Sequence, residues 1–200
     1  MYGGLDLYGW AALLVTLSYL VISETFWRRK AARSLDAGTH DSHTTRLMVA
    51  SLPTLFVLPL AYAAWVAPRE EEGLTLLQHY LRLQALSLML FACWLRHAAM
   101  TQLGAFFSRT LTVQKGHCVI KTGVYRLVRH PGYAANLAIF VSYAFLVSRS
   151  PIVTVLQAGI FYFAWCRRRI PAEEAMLMKE FGDEYVQYMS RTHRLVPWVY

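Results

Sequence analysis

Leu47-Met-Val-Ala-Ser-Leu-Pro-Thr-Leu-Phe-Val-Leu-Pro-Leu-Ala-Tyr-Ala-Ala-Trp-Val-Ala-Pro68 runs for 22 residues without a charge. A helix needs about 20 apolar residues to cross a hydrocarbon core roughly 30 Å thick. This run meets that length, and Pro53 and Pro59 inside it are expected to kink the helix, which a bundle tolerates. Working outward, Leu7 to Ser23 is also uncharged, and Leu74 to Leu95 carries only Arg82. His130 to Ser148 and Pro151 to Cys166 follow, parted by Arg149 and Ser150 alone, as a tight helical hairpin. The expected fold is all-α: a polytopic membrane bundle of about five transmembrane helices, closing with that hairpin. A division follows, into N-terminal transmembrane helices over 1–95 and a region over 96–200 holding the hairpin and a C-terminal helix, Ala172 to Arg191.

Composition agrees. The chain is 56% hydrophobic, against roughly 45–50% apolar in soluble domains. Only 16% of residues are charged, which excludes a disordered chain. The net charge of +8 would suggest nucleic acid in a soluble protein, but here the basic residues gather at the ends of apolar runs. That pattern points to a membrane surface and its lipids, and no nucleic-acid partner is expected. With the loop after the first run placed inside, Arg69, Arg82 and Arg149 lie outside and the rest of the 20 Lys and Arg residues lie inside. The amino terminus is then outside and the carboxyl terminus cytosolic. The first residues show no positive n-region, so no removable signal peptide is expected. Cys93, Cys118 and Cys166 are too scattered for a disulfide framework or a zinc knuckle.

No glycine-rich nucleotide loop, nucleophile elbow or H-E-x-x-H pair occurs. His40, Asp41 and His43 lack further ligands at sensible spacing, so no metal site is expected. Three other stretches are candidates. Gly123-Val-Tyr-Arg-Leu-Val-Arg-His-Pro-Gly-Tyr133 sets Arg126, Arg129, His130 and two tyrosines at the mouth of the hairpin. Interfacial anchoring explains such residues; an anion site at a helix N-terminus is the functional alternative. Arg167-Arg-Arg-Ile-Pro-Ala-Glu-Glu174 combines ordinary positive-inside anchors with two acids. Those acids either answer the helix dipole or bind a cationic group. Phe181-Gly-Asp-Glu-Tyr-Val-Gln-Tyr188 supplies a capping glycine and an aromatic helix that would lid a site.

In this order the three stretches, ending with Arg194-Leu-Val-Pro197, resemble the signature of the isoprenylcysteine carboxyl methyltransferase family, in its compact prokaryotic form. Leu103-Gly104 and Phe107-Ser108 fit the family's preceding loop, so the resemblance covers about residues 103–197. It implies S-adenosyl-L-methionine bound on the cytosolic side, with S-adenosyl-L-homocysteine as product. Cofactor contacts would be Gln114, His117, Cys118, Val119, Ile120, Tyr125, His130, Pro131, Gly132, Tyr133 and Glu173. Arg169 would hold the methyl acceptor, and Arg169, Glu173 and His130 would form the catalytic group. The acceptor would be a lipophilic or prenylated molecule entering from the bilayer, most directly the carboxylate of an isoprenylated cysteine.

The chemistry suits those residues. A carboxylate is ionised at neutral pH and needs no base, whereas a phenolic lipid, with a pKa near 10, would call on His130 or Glu173. A phospholipid amine is a third acceptor class. Outside methyl transfer, a nicotinamide-dependent reductase of the membrane sterol type and a non-catalytic scaffold or transporter are the alternatives. For the last, Arg82 is the one hint, and snorkelling or a structural bond explains it equally.

Overall fold

The computed structural model describes residues 5–31, 42–65, 75–107 and 116–197. Seven α-helices make up the described chain: α1 Leu7–Ala31, α2 Ser42–Trp65, α3 Leu76–Leu103, α4 Pro131–Ser148, α5 Pro151–Phe161, α6 Ile170–Phe181 and α7 Asp183–Ser190. A π-helical segment, Tyr162–Arg169, joins α5 to α6. The all-helical expectation holds. Among the described residues, three segments, Arg46–Trp65, Leu76–Phe106 and Pro131–Ser148, are both long and apolar enough to cross a membrane, and Leu7–Ile22 is a shorter apolar stretch. α2 stays helical through Pro53 and Pro59.

Local chemistry sets the helix ends. Asp6 opens α1 by accepting the Gly9 N–H at 2.9 Å. Thr75 opens α3 with a capping box, accepting from Gln78 N at 3.3 Å while Gln78 Oε1 accepts from Thr75 N at 2.8 Å. The hairpin turns at Arg149, whose φ is +58°, and Ser150 and Pro151 then restart the chain as N-cap and first helical residue.

α4 is the hub and packs against α1, α2, α3 and α5. Ile139, Tyr143, Leu146 and Val147 meet Ala12, Ala63, Met89 and Ala92. Small residues on the facing helices let the backbones approach, which is how helices associate where lipid removes the hydrophobic drive. Toward the other end, Leu55, Phe140, Phe161, Trp165 and Ile170 form a second cluster that reaches Leu195 of the tail. The outward side chains, among them Leu14, Val21, Leu77, Phe91 and Trp94, are exposed and apolar, as a lipid-facing surface requires.

Three expectations need adjusting. α3 continues to Leu103, so the division at 95/96 falls inside a helix and Arg96 lies on its last turns. At 1.5 Å per residue its 28 residues span about 42 Å, more than the hydrocarbon thickness, and the excess carries Arg96 to Leu103 out to the site. The hairpin's second arm does not stop at Cys166 but runs on through the π segment into α6. Pro171 explains the widened turns: it lacks an N–H and its ring would press on the Arg167 carbonyl in a regular α-helix. Finally, Ala172 to Arg191 is not one helix. Gly182, at φ +52°, ends α6 and redirects α7.

Arg82 is buried, and its guanidinium pairs with the Asp6 carboxylate and sits 5.9 Å from the Tyr8 ring centroid. The structural bond, rather than snorkelling, accounts for it.

Candidate functional site

The site lies where the extended α3, the start of α4 and the tail converge. Its scaffold is set by short loops. Gly123, at φ +58°, opens a 3-10 turn over Gly123–Arg126, and Val124 N donates to Gln102 Oε1 at 3.1 Å. A Cβ on Gly123 would overlap the end of the Gln102 side chain, which would have to move. Gly123→Ala is therefore expected to cost about 1–3 kcal/mol, mainly through backbone strain at its positive φ and loss of the Gln102 contact to Val124. Thermal unfolding checks it; an unchanged midpoint would mean the turn is not held as described.

Tyr125 is anchored by donating to the Ala99 carbonyl at 3.3 Å, and its own carbonyl accepts from the Tyr188 hydroxyl at 2.7 Å. Burial pushes the Tyr125 phenol well above its ordinary value and lifts that of Tyr188 to about 12, so both stay neutral donors. The tail then folds back along the loop before α4. Arg129 N donates to His193 O at 2.7 Å, His130 N to Arg194 O at 3.0 Å, and His193 N to Leu127 O at 3.0 Å.

These backbones are locked by a carboxylate. Glu174, only 2% exposed, accepts from Arg129 Nε at 2.9 Å, Arg194 Nε at 2.9 Å and His130 Nε2 at 3.3 Å. Burial alone would raise its pKa, but hydrogen bonds from His130, Arg194 and Arg129 outweigh that and hold it at about 2. It is ionised throughout the working range.

Glu173, the preceding residue, points elsewhere. Its Oε2 accepts from the Tyr133 hydroxyl at 2.6 Å, and its Oε1 stands 3.7 Å from His130 Nδ1. The Tyr133 hydroxyl in turn accepts from Arg169 Nε at 3.3 Å. Arg169 is buried, and its Nη1 also donates to Thr44 Oγ1 at 3.5 Å. Thus Arg169, Tyr133, Glu173 and His130 form one polar wall.

That wall faces a cavity of about 180 Å³, far more than the roughly 10–15 Å³ that one water needs. His117, Cys118, Val119, Ile120, Tyr125, His130, Gly132, Tyr133, Arg169 and Glu173 all line it, so the structure gathers these sequence candidates around one space. Pro131 does not line it; it is buried as the first residue of α4. Gln114 lies outside the described residues. His117 stacks on Phe106, with centroids 4.6 Å apart, and meets the edge of Phe181 at 5.4 Å. Burial depresses the His117 pKa, favouring the neutral ring, and its buried Nδ1 has no hydrogen-bond partner. Among the described residues there is no group of three metal-ligating side chains.

Sequence reasoning missed most of the α3 contribution, namely Arg96, Ala99 and Met100. Arg96 also clamps the mouth of α4, donating from Nη1 to the Gly132 carbonyl at 3.1 Å. Its position just beyond an apolar run was the available signal, and it was indistinguishable from that of an interfacial anchor. Phe181, Tyr185 and Tyr188, from the stretch expected to lid a site, also line the cavity.

Fold and site together define an integral membrane helical protein with a buried acid–base wall at one end of its bundle. Residues 85–179 match the model of the isoprenylcysteine carboxyl methyltransferase family. A protein-S-isoprenylcysteine O-methyltransferase of Schizosaccharomyces pombe is 30% identical over 117 residues, covering 58% of this chain and 49% of that protein. A human protein of the same name is 27% identical over 160 residues, 79% of this chain and 53% of the relative. The chain therefore spans about half the length of the curated relatives it matches. A solved structure of a eukaryotic intramembrane Ras methyltransferase shares the fold, with a TM-score of 0.57 at 18% identity, over 94% of this chain and 68% of the other.

Proposed function

We propose that this chain is a membrane-embedded methyltransferase that uses S-adenosylmethionine and acts on a lipophilic carboxylate, most directly that of an isoprenylated cysteine. The observation that carries the reading is that Glu173, His130 and Arg169 line one shared cavity beneath aromatic side chains. The residues fit the cofactor. An acid with one oxygen turned toward His130 suits an ammonium group, the Phe106–His117–Phe181 rings suit a flat base, and the orphaned His117 Nδ1 suits a polar edge.

Bound there, S-adenosylmethionine would supply an electrophilic methyl group on a cationic sulfur. The chain's own part is alignment, which can contribute several kcal/mol. Glu173 holds the cationic end of the donor. Arg169 binds the acceptor carboxylate by charge-assisted hydrogen bonds. The acceptor is already ionised, so no side chain need take a proton. Its apolar body would lie between helices, reached from the lipid, with the bundle placed in five spans by counting α1 and the α5 arm. The amino terminus is then outside, and the catalytic region, residues 96–200, opens to the cytosol.

Purified protein in lipid nanodiscs, given methyl-labelled S-adenosylmethionine and an S-farnesylcysteine derivative, should yield an alkali-labile methyl ester. The rate should be nearly flat from pH 7 to 9. A steep rise would move the acceptor to a phenol, and failure to bind the cofactor or label any lipidic acid would end the proposal.

A further inference from the structure

Glu174 does not line the cavity, yet it touches a residue that does. An ionised carboxylate can only accept hydrogen bonds, so the 3.3 Å contact requires a hydrogen on His130 Nε2. In the neutral ring, Nδ1 is then a bare acceptor. It faces Glu173 Oε1 across 3.7 Å, too far for a hydrogen bond between them. The other Glu173 oxygen is already taken by the Tyr133 hydroxyl, and the Tyr133 ring stacks on the imidazole with centroids 5.6 Å apart. In that neutral form two acceptors face each other across 3.7 Å with no proton between them. A single ammonium about 2.9 Å from each could donate to both.

We propose that Glu174 is a positioning residue: it holds the His130 proton on Nε2, so that Nδ1 and Glu173 together form a two-acceptor seat for the ammonium of the donor's amino-acid end. This rests on the methyltransferase reading for the ligand, though not for the tautomer. A hydrogen-bonded partner on one ring nitrogen sets what the other can do, the relation by which second partners tune histidine ligands. Glu173 and Glu174 thereby divide the work, one facing the ligand and the other aiming its neighbour.

The test uses the full chain in nanodiscs with ¹⁵N-labelled histidine, the His130 resonance being identified by its loss in His130→Asn. The wild type should show a protonated Nε2 and a bare Nδ1. Glu174→Ala, which removes the acceptor facing Nε2, should release the ring to a mixture of tautomers. It should also weaken S-adenosylhomocysteine binding, measured by calorimetry, by about tenfold or more. Arg194→Gln is the control: it removes a tail contact of Glu174 but should keep the tautomer and leave affinity within about threefold. A bare Nε2 in the wild type overturns the proposal without any variant. So does an unchanged tautomer in Glu174→Ala, or an equal loss of affinity in Arg194→Gln, which would reduce Glu174 to a folding role. A wild type that binds no S-adenosylhomocysteine would overturn the methyltransferase reading instead, and the spectra would still decide the tautomer.

Discussion

Arg169→Ala lowers acceptor turnover by about two to three powers of ten while S-adenosylhomocysteine affinity stays within about threefold; that split is the expected result. The guanidinium is buried and held by the Tyr133 and Thr44 hydroxyls, on the cavity wall beside Glu173. A fixed cation there can orient an acceptor carboxylate in a water-poor space, where charge–charge contacts are strongest. Arg169→Lys should recover little, because an ammonium does not reproduce a planar fork. Tyr133→Phe separates the two ends of the wall. It removes the hydroxyl that accepts from Arg169 and donates to Glu173, so both turnover and cofactor affinity should fall. Steady-state rates with a farnesylcysteine substrate, paired with calorimetry, give both quantities. If Arg169→Ala loses cofactor affinity and turnover in equal measure, the residue belongs to the donor side and its assignment to the acceptor is wrong.

The second large effect is expected far from that chemistry. Asp6→Ala should destabilise the bundle by about 3 kcal/mol, because it removes the carboxylate that faces a buried guanidinium. Asp6 does two jobs: one oxygen caps α1 through Gly9 N, and the other accepts from Arg82 on α3. Losing it releases the start of α1 and leaves Arg82 without its carboxylate. The double variant Asp6→Leu with Arg82→Met should regain most of the loss, since a well-packed apolar pair often replaces a buried ion pair without penalty. Unfolding in mixed micelles measures both. A single variant as stable as wild type would show that the pair does not secure α1.

Much of this protein is legible from chain chemistry alone. Apolar runs the length of a bilayer specify helices, since a backbone in lipid must satisfy its own hydrogen bonds. Thr75, Ser150-Pro151 and Gly182 mark helix ends through caps whose chemistry is local. The spacing of Arg169 and Glu173, one helical turn apart, was enough to place both on one wall. The signature around His130-Pro131-Gly132-Tyr133 placed the mouth of α4 at the site.

Other features were decided only when the chain closed on itself. Glu173 and Glu174 are chemically identical neighbours, and helical geometry turns them about 100° apart, but only the surrounding helices determine which meets Arg129 and Arg194 and which meets the cavity. Arg96 and Arg82 each sit in or beside an apolar run, yet one clamps the Gly132 carbonyl and the other is neutralised by an aspartate 76 residues earlier. The pairing of residues 127–130 with 193–194 joins segments that carry no complementary pattern. Periodicity and capping act within a few residues, and so they can be read along the chain. Charge pairing and cavity formation act between residues far apart in sequence, and those partners exist only once the end of α3 and the tail meet at the start of α4.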